Sequence, residues 1–172
     1  MDGDTMGSGR SGLYSGTSGS SQPYAPSYHV VKSMHEYDKD DPDIWSGSSG
    51  YRKNESAINI GDSVHGSSVV YDGKKANGKM TYVVDTEGNL IFGKRSNPIN
   101  PDARSPHPML IGGKDPQVKV AGMIEFRGGK IYDIDAHSGH YRPPAQSLQS
   151  AEKALSRLPR EVFHRKSSWR KQ

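Results

Sequence analysis

Apolar positions are sparse in the first third of the chain, and their spacing is helical only once. Residues 27 to 39, "SYHVVKSMHEYDK", place Val30, Val31, Met34 and Tyr37 on one side of a helix, which Pro42 in "DDPD" ends. From 44 to 68 Ser, Gly and Asn interrupt every run, and only a short strand at Ile58 to Ile60 is expected. After Gly78 the strand patterns become clear. "KMTYVVD" and "LIFGK" flank a turn centred on Glu87-Gly88, the pattern of a β-hairpin. The next loop, "RSNPINPDARSPHP", carries four prolines, which forbid a central strand. "MLIGG" and "VKVAGMIEF" read as strands, and "RGG" turns the chain into a further strand, "KIYDID". "SLQSAEKALSRL" then sets Leu148, Ala151, Leu155 and Leu158 on one face of an amphipathic helix stopped by Pro159. The expected fold class is α+β: a small antiparallel sheet of four or five strands, a short N-terminal helix and a C-terminal amphipathic helix, with the helices on one face of the sheet. No internal repeat is present.

Composition sharpens this picture at the two ends. Hydrophobic residues make up 31% of the 172, with 20 glycines and 11 prolines, so the core is modest and loops are abundant. Residues 1–22 are nearly all Gly, Ser, Thr and Asp; such a segment buries too little apolar surface to offset its ordering entropy and reads as a flexible connector. Residues 23–172 then form a single domain with a basic tail. No apolar run approaches the length of a membrane span, and no signal peptide opens the sequence. Export would therefore use another route, or the chain is one piece of a longer polypeptide. Cysteine is absent, which excludes disulfides and thiolate metal sites. The net charge of +4 is unevenly placed: residues 157–172 hold six Lys or Arg against one Glu, whereas "EYDKDDPDIW" holds five acids around one lysine. The basic tail is either a solvated terminus or a phosphate-binding flank in which Trp169 stacks a base.

Two stretches carry candidate chemistry. In "DARSPHP", Arg104 and Ser105 precede His107, which two prolines hold on a rigid segment; "MLIGGKDP" behind it supplies Lys114. In "DIDAHSGHYRPP", a strand end is followed by Ser138, His140, Tyr141 and Arg142. Each histidine alone is compatible with a structural imidazole bonded to a carbonyl. Together, on separate loops flanking a hairpin and each with an arginine nearby, they fit metal-free phosphodiester cleavage. One imidazole would remove the 2′-hydroxyl proton and the other protonate the leaving oxygen, while Arg or Lys stabilises charge on phosphorus. On this reading His107, His140, Arg104 and Ser138 are catalytic, and Arg142, Tyr141 and Lys114 bind substrate. A metal site built on His137 and His140 lacks supporting ligands, "RGGK" lacks the phosphate-loop frame, and no GxSxG elbow is present.

The run from "NGKMTYVVDTEGNLIFGKR" through "SPHPMLIGGKDPQVKVAGMIEFRGGKIYDIDAHSGHYRPP" resembles C-terminal toxin domains of bacterial polymorphic toxins of the Rhs type. The upstream "GLYSGTSGSSQPYAPSYHVVKSMHEYDKDDPDIW" is similar to their leading segment, so the resemblance covers roughly residues 12 to 170. A looser version of the "SGHY.P" pattern is similar to a domain of plant IQ-motif calmodulin-binding proteins, although this chain has no IQ helix. The toxin resemblance implies delivery from a longer secreted polypeptide into a competitor's cytoplasm, and neutralisation by a cognate immunity protein. Two activities are implied: an RNase without cofactor, or an ADP-ribosyltransferase that binds NAD, with "GLYSGT" as first strand and Glu125 or Glu87 as the carboxylate. A third reading is a non-enzymatic interaction module whose histidines are structural.

Overall fold

The two longest strands set the frame for everything else. The computed structural model describes residues 25–167; the connector expected over 1–22, the segment "GLYSGT" and Trp169 lie outside them. In chain order the elements are α1 (Lys32–Lys39), β1 (Trp45–Ser46), β2 (Gly50–Tyr51), β3 (Ile58–Asn59), β4 (Val64–His65), β5 (Ser68–Tyr71), β6 (Lys74–Lys75), β7 (Gly78–Asp85), β8 (Leu90–Gly93), β9 (Val118–Arg127), β10 (Lys130–Ile134) and α2 (Leu148–Leu155). β7 and β9 pair antiparallel from Gly78 opposite Phe126 to Asp85 opposite Val118. They form the centre of a five-stranded sheet in the order β10-β9-β7-β8-β3, whose described pairs are all antiparallel. β1–β2 is a separate hairpin, and β4–β5–β6 a small three-stranded sheet.

The sheet is covered on both sides. Met80, Tyr82, Val84, Phe92, Val120, Ile124 and Phe126 pack with Ala151, Ala154 and Leu155 of α2. The alternate residues Val83 and Ala121 pack with Val30, Ile44, Met109, Leu110 and Tyr141, against which Met34 of α1 rests. The helices therefore lie on opposite sides of the sheet, not on one face. The cause is in the strand itself, where residues 80 to 84 are buried on both sides, as a central strand requires.

Other expectations are corrected as well. "MLIGG" is not a strand: His107–Leu110 form a single 3-10 turn with Met109 and Leu110 fully buried. Pro106 and Pro108 lack the N–H that a ladder needs, and proline suits the first turn of a helix. The N-terminal helix begins only at Lys32, because Tyr28 bridges Val118 in extended backbone and Val31 is still extended. Tyr37, expected on the buried side, is 63% exposed. After α2 the chain does not run free. Val162 is buried in the core, Phe163 bridges Ile131, and the His164 N–H donates to the Ile131 carbonyl. Among the described residues no helix is long and apolar enough to cross a membrane.

Candidate functional site

Where the backbone of Asp135 crosses β9, it fixes the loop that follows. Tyr82 opposes Gly122 in the sheet and sends its hydroxyl 2.6 Å to the Asp135 carbonyl. The Asp135 carboxylate accepts from the N–H groups of Met123 and His137 at 2.9 and 3.0 Å. A Cβ at position 122 would stand 2.1 Å from the Asp135 carbonyl oxygen, so only glycine allows this approach. The chain then coils tightly. The Tyr141 N–H donates to Ser138 Oγ, the Arg142 N–H donates to the Ser138 carbonyl, and Arg142 takes a left-handed φ of 46°. The Tyr141 hydroxyl closes the turn by donating to the Pro116 carbonyl at 2.5 Å.

His107 meets this turn from the other loop. Its Nε2 lies 2.8 Å from the Gly122 carbonyl, which can only accept, so Nε2 carries the proton. Nδ1 is then an acceptor, and the Ser138 hydroxyl donates to it at 3.2 Å. The side chain is 4% exposed. Burial pushes its pKa down to about 4; the bond to Gly122 opposes this, and the charges of Arg95 and His140 add to it. At neutral pH His107 is uncharged, with both ring nitrogens committed.

The second histidine is anchored differently. Asp38, in the last turn of α1, is wholly buried. Its Oδ2 accepts from the Tyr51 hydroxyl at 2.5 Å and from His140 Nε2 at 2.9 Å, while its Oδ1 accepts from the Arg104 guanidinium at 2.7 Å. Burial alone would raise the carboxyl's pKa, but the bonds from His140, Tyr51 and Arg104 outweigh it, and the net shift is downward. Asp38 is thus a buried carboxylate held by three donors. Tyr51 responds in the opposite sense: burial, then the neighbouring carboxylate, hold its proton on. It is seated by Trp45, whose ring meets it edge-on at 5.1 Å. Arg104 is further held by Asp41 at 3.4 Å, and the ring of Tyr37 lies 4.7 Å beneath its guanidinium. Asn97 ties the proline-rich loop in place, its amide donating to the carbonyls of Asp43 and Arg104. The Val31 N–H donates to the His140 carbonyl, which fixes the turn against α1.

The structure thus joins Arg104 to His140 through Asp38, and His107 to Ser138 directly. Tyr141 is buried with its hydroxyl spent on Pro116, so it supports the turn and does not reach a substrate. Arg142 is exposed and bonds back to the Gly139 carbonyl. Lys114 is exposed on the loop after Gly113, whose backbone pairs with Tyr51. Glu125 pairs with Arg127 at 3.0 Å, and Glu87 lies at the β7–β8 turn. Asp38 and Tyr51 were not among the sequence candidates. Asp38 lies one turn after Met34, on the side of α1 that meets the core, but in the sequence it is hidden within a run of acids.

This arrangement supplies one anchored imidazole. With Nε2 bound to a carboxylate, the Nδ1 of His140 has no partner among the described residues. Among the described residues no group of three His, Asp or Glu side chains gathers as a metal-ligand set. No family model, no curated protein and no solved structure matches the chain.

Proposed function

We propose that the chain is a toxin-type effector domain that cleaves RNA by acid–base chemistry, with His140 as the proton-transfer group. The observation that carries this reading is the pairing of His140 with the buried carboxylate Asp38, 2.9 Å away, on which Arg104 also converges. His140 Nδ1 takes the proton from a ribose 2′-hydroxyl as that oxygen attacks phosphorus. The P–O5′ bond breaks, the 5′-oxygen takes a proton from solvent, and a 2′,3′-cyclic phosphate is left. Asp38 orients the imidazole and stabilises the imidazolium, and Arg104 balances charge on the phosphoryl oxygens. His107, neutral and fully bonded, becomes a positioning residue that holds Ser138 and hence the turn bearing His140. In keeping with the toxin resemblance, the domain would be carried on a longer secreted polypeptide, act in a target cell's cytoplasm and be silenced by a cognate immunity protein.

The test is incubation of the purified protein with labelled RNA, and in parallel with labelled NAD. RNA should be cut with cyclic phosphate ends, and chelator should leave the rate unchanged. His140→Ala should lower cleavage about 10²–10⁴-fold, with partial rescue by added imidazole. Transfer of label from NAD would replace this reading with the ADP-ribosyltransferase. An inert wild-type protein would favour the interaction module, which is supported by the complete internal bonding of His107, Ser138 and Tyr141.

A further inference from the structure

On the α2 side of the sheet a cleft of about 230 Å³ is lined by Val84, Glu87, Lys119, Ser150, Lys153 and Arg157, among others. Its shape follows from an irregularity in the central ladder. Val84 opposes Val120, yet Asp85 opposes Val118, so one residue of β9 is extra at this end. The bulge reverses the alternation. Val118 joins the core on the α1 side, and Lys119, which would otherwise share a face with Ala121, lines the cleft beside Val84 and α2. Lys153 and Arg157, four residues apart on and just after α2, line the same cleft.

None of the three makes an ion pair with a described residue, although Glu87 stands at the rim. Asp85, the other nearby acid, spends its Oδ1 on the N–H groups of Glu87 and Asn89. Both lysines are held below the usual lysine range: burial first and then the neighbouring cation, Lys153 for Lys119 and Arg157 for Lys153. The folded chain thus crowds positive charge, and the Asp85 carboxylate only partly offsets it at Lys119. The wall also holds Ser150, only 7% exposed, whose hydroxyl bonds to no described residue. A buried hydroxyl without a partner costs stability unless a ligand or water meets it.

We propose that this cleft binds a phosphate group, with Lys119, Lys153 and Arg157 as its cations and Ser150 as a neutral donor. The ligand is a compact terminal phosphate and not a polyanion running past, because all three cations line one concavity. The site is independent of the His140 chemistry and lies on the other side of the sheet.

Isothermal titration of the whole chain at low salt tests it, with inorganic pyrophosphate, adenosine 5′-monophosphate, adenosine and an RNA oligonucleotide lacking terminal phosphates as probes. Saturable one-to-one binding of pyrophosphate is expected, weakened at least about tenfold in Lys119→Met and in the exposed Arg157→Gln, since bonds to charged groups are the stronger class. Glu87→Gln should tighten it. Tighter binding of the monophosphate than of pyrophosphate would identify a nucleotide as the source; the reverse would identify free phosphate. Absence of saturable binding overturns the proposal. So does binding unchanged in Arg157→Gln, equal binding of adenosine, or tighter binding of the unphosphorylated oligonucleotide.

Discussion

An imidazole that folding holds neutral makes stability fall as the solution is acidified. His107 titrates near 4 in the folded chain against 6.5 when free. Between those values the unfolded chain binds a proton that the folded chain refuses. Its contribution is therefore undiminished above pH 6.5 and is lost as pH falls towards 4, by about 3 kcal/mol in all. Asp38 acts lower, because its folded pKa lies under 3.8, so its contribution is lost only below that value. Melting temperature should thus decline from pH 6.5 to 4, and His107→Gln should flatten that decline; a flat wild-type curve would contradict the burial of a neutral imidazole. Asp38→Ala should cost about 3–5 kcal/mol in denaturant unfolding, since it takes the carboxylate partner from a buried imidazole and a buried phenol. Residue chemistry was only partly legible in the sequence. His107, His140, Arg104 and Ser138 declared themselves through prolines, a glycine and short spacing. Asp38 did not, because it stands among the acids of "EYDKDDPD" and charge in such a run ordinarily faces water.

At the scale of elements, the decisive contact is backbone against backbone. The Asp135 carbonyl lies where a Cβ of residue 122 would be, and Gly122 also presents its own carbonyl to His107. Gly122→Ala should therefore do more than remove flexibility. It must push the 135–142 turn off β9, separating Ser138 from His107 and His140 from Asp38. A loss of about 1–3 kcal/mol is expected, the scale of overpacking a close contact, and the cleavage proposed above should fall as well. Near-wild-type melting and cleavage would show that the crossing can relax. β7, β8, β9 and β10 were readable as short apolar, β-branched and aromatic runs bounded by glycine and other turn residues, with clear alternation in "KIYDID". "MLIGG" was not, since a short apolar run reads alike in a strand and in a buried turn, and the flanking prolines decide.

For the whole molecule, the question is what a chain with few apolar residues can lose. Leu155 is 1% exposed and joins α2 to the Tyr82–Phe92–Phe126 side of the sheet. Leu155→Ala should cost about 2–5 kcal/mol, enough to leave a marginal protein partly unfolded at 37 °C, as circular dichroism would report. Fold class could be read from the sequence, but the placement of helices on two sides could not, because "MTYVVD" is apolar in both phases of the alternation. The Asp38 cluster also bears on how the chain reaches its fold. Its two side-chain bonds to Asp38 from the far loops span 66 and 102 positions of sequence, whereas β7–β8 and β9–β10 are local hairpins. Closing such long loops is entropically slow, so the hairpins are expected to assemble first and the carboxylate to receive its partners after the rate-limiting step. In stopped-flow experiments Asp38→Asn should accordingly hasten unfolding while the folding limb stays where it is. A chain caught on the early side of that barrier would hold its sheet, and its imidazole would still be a bystander.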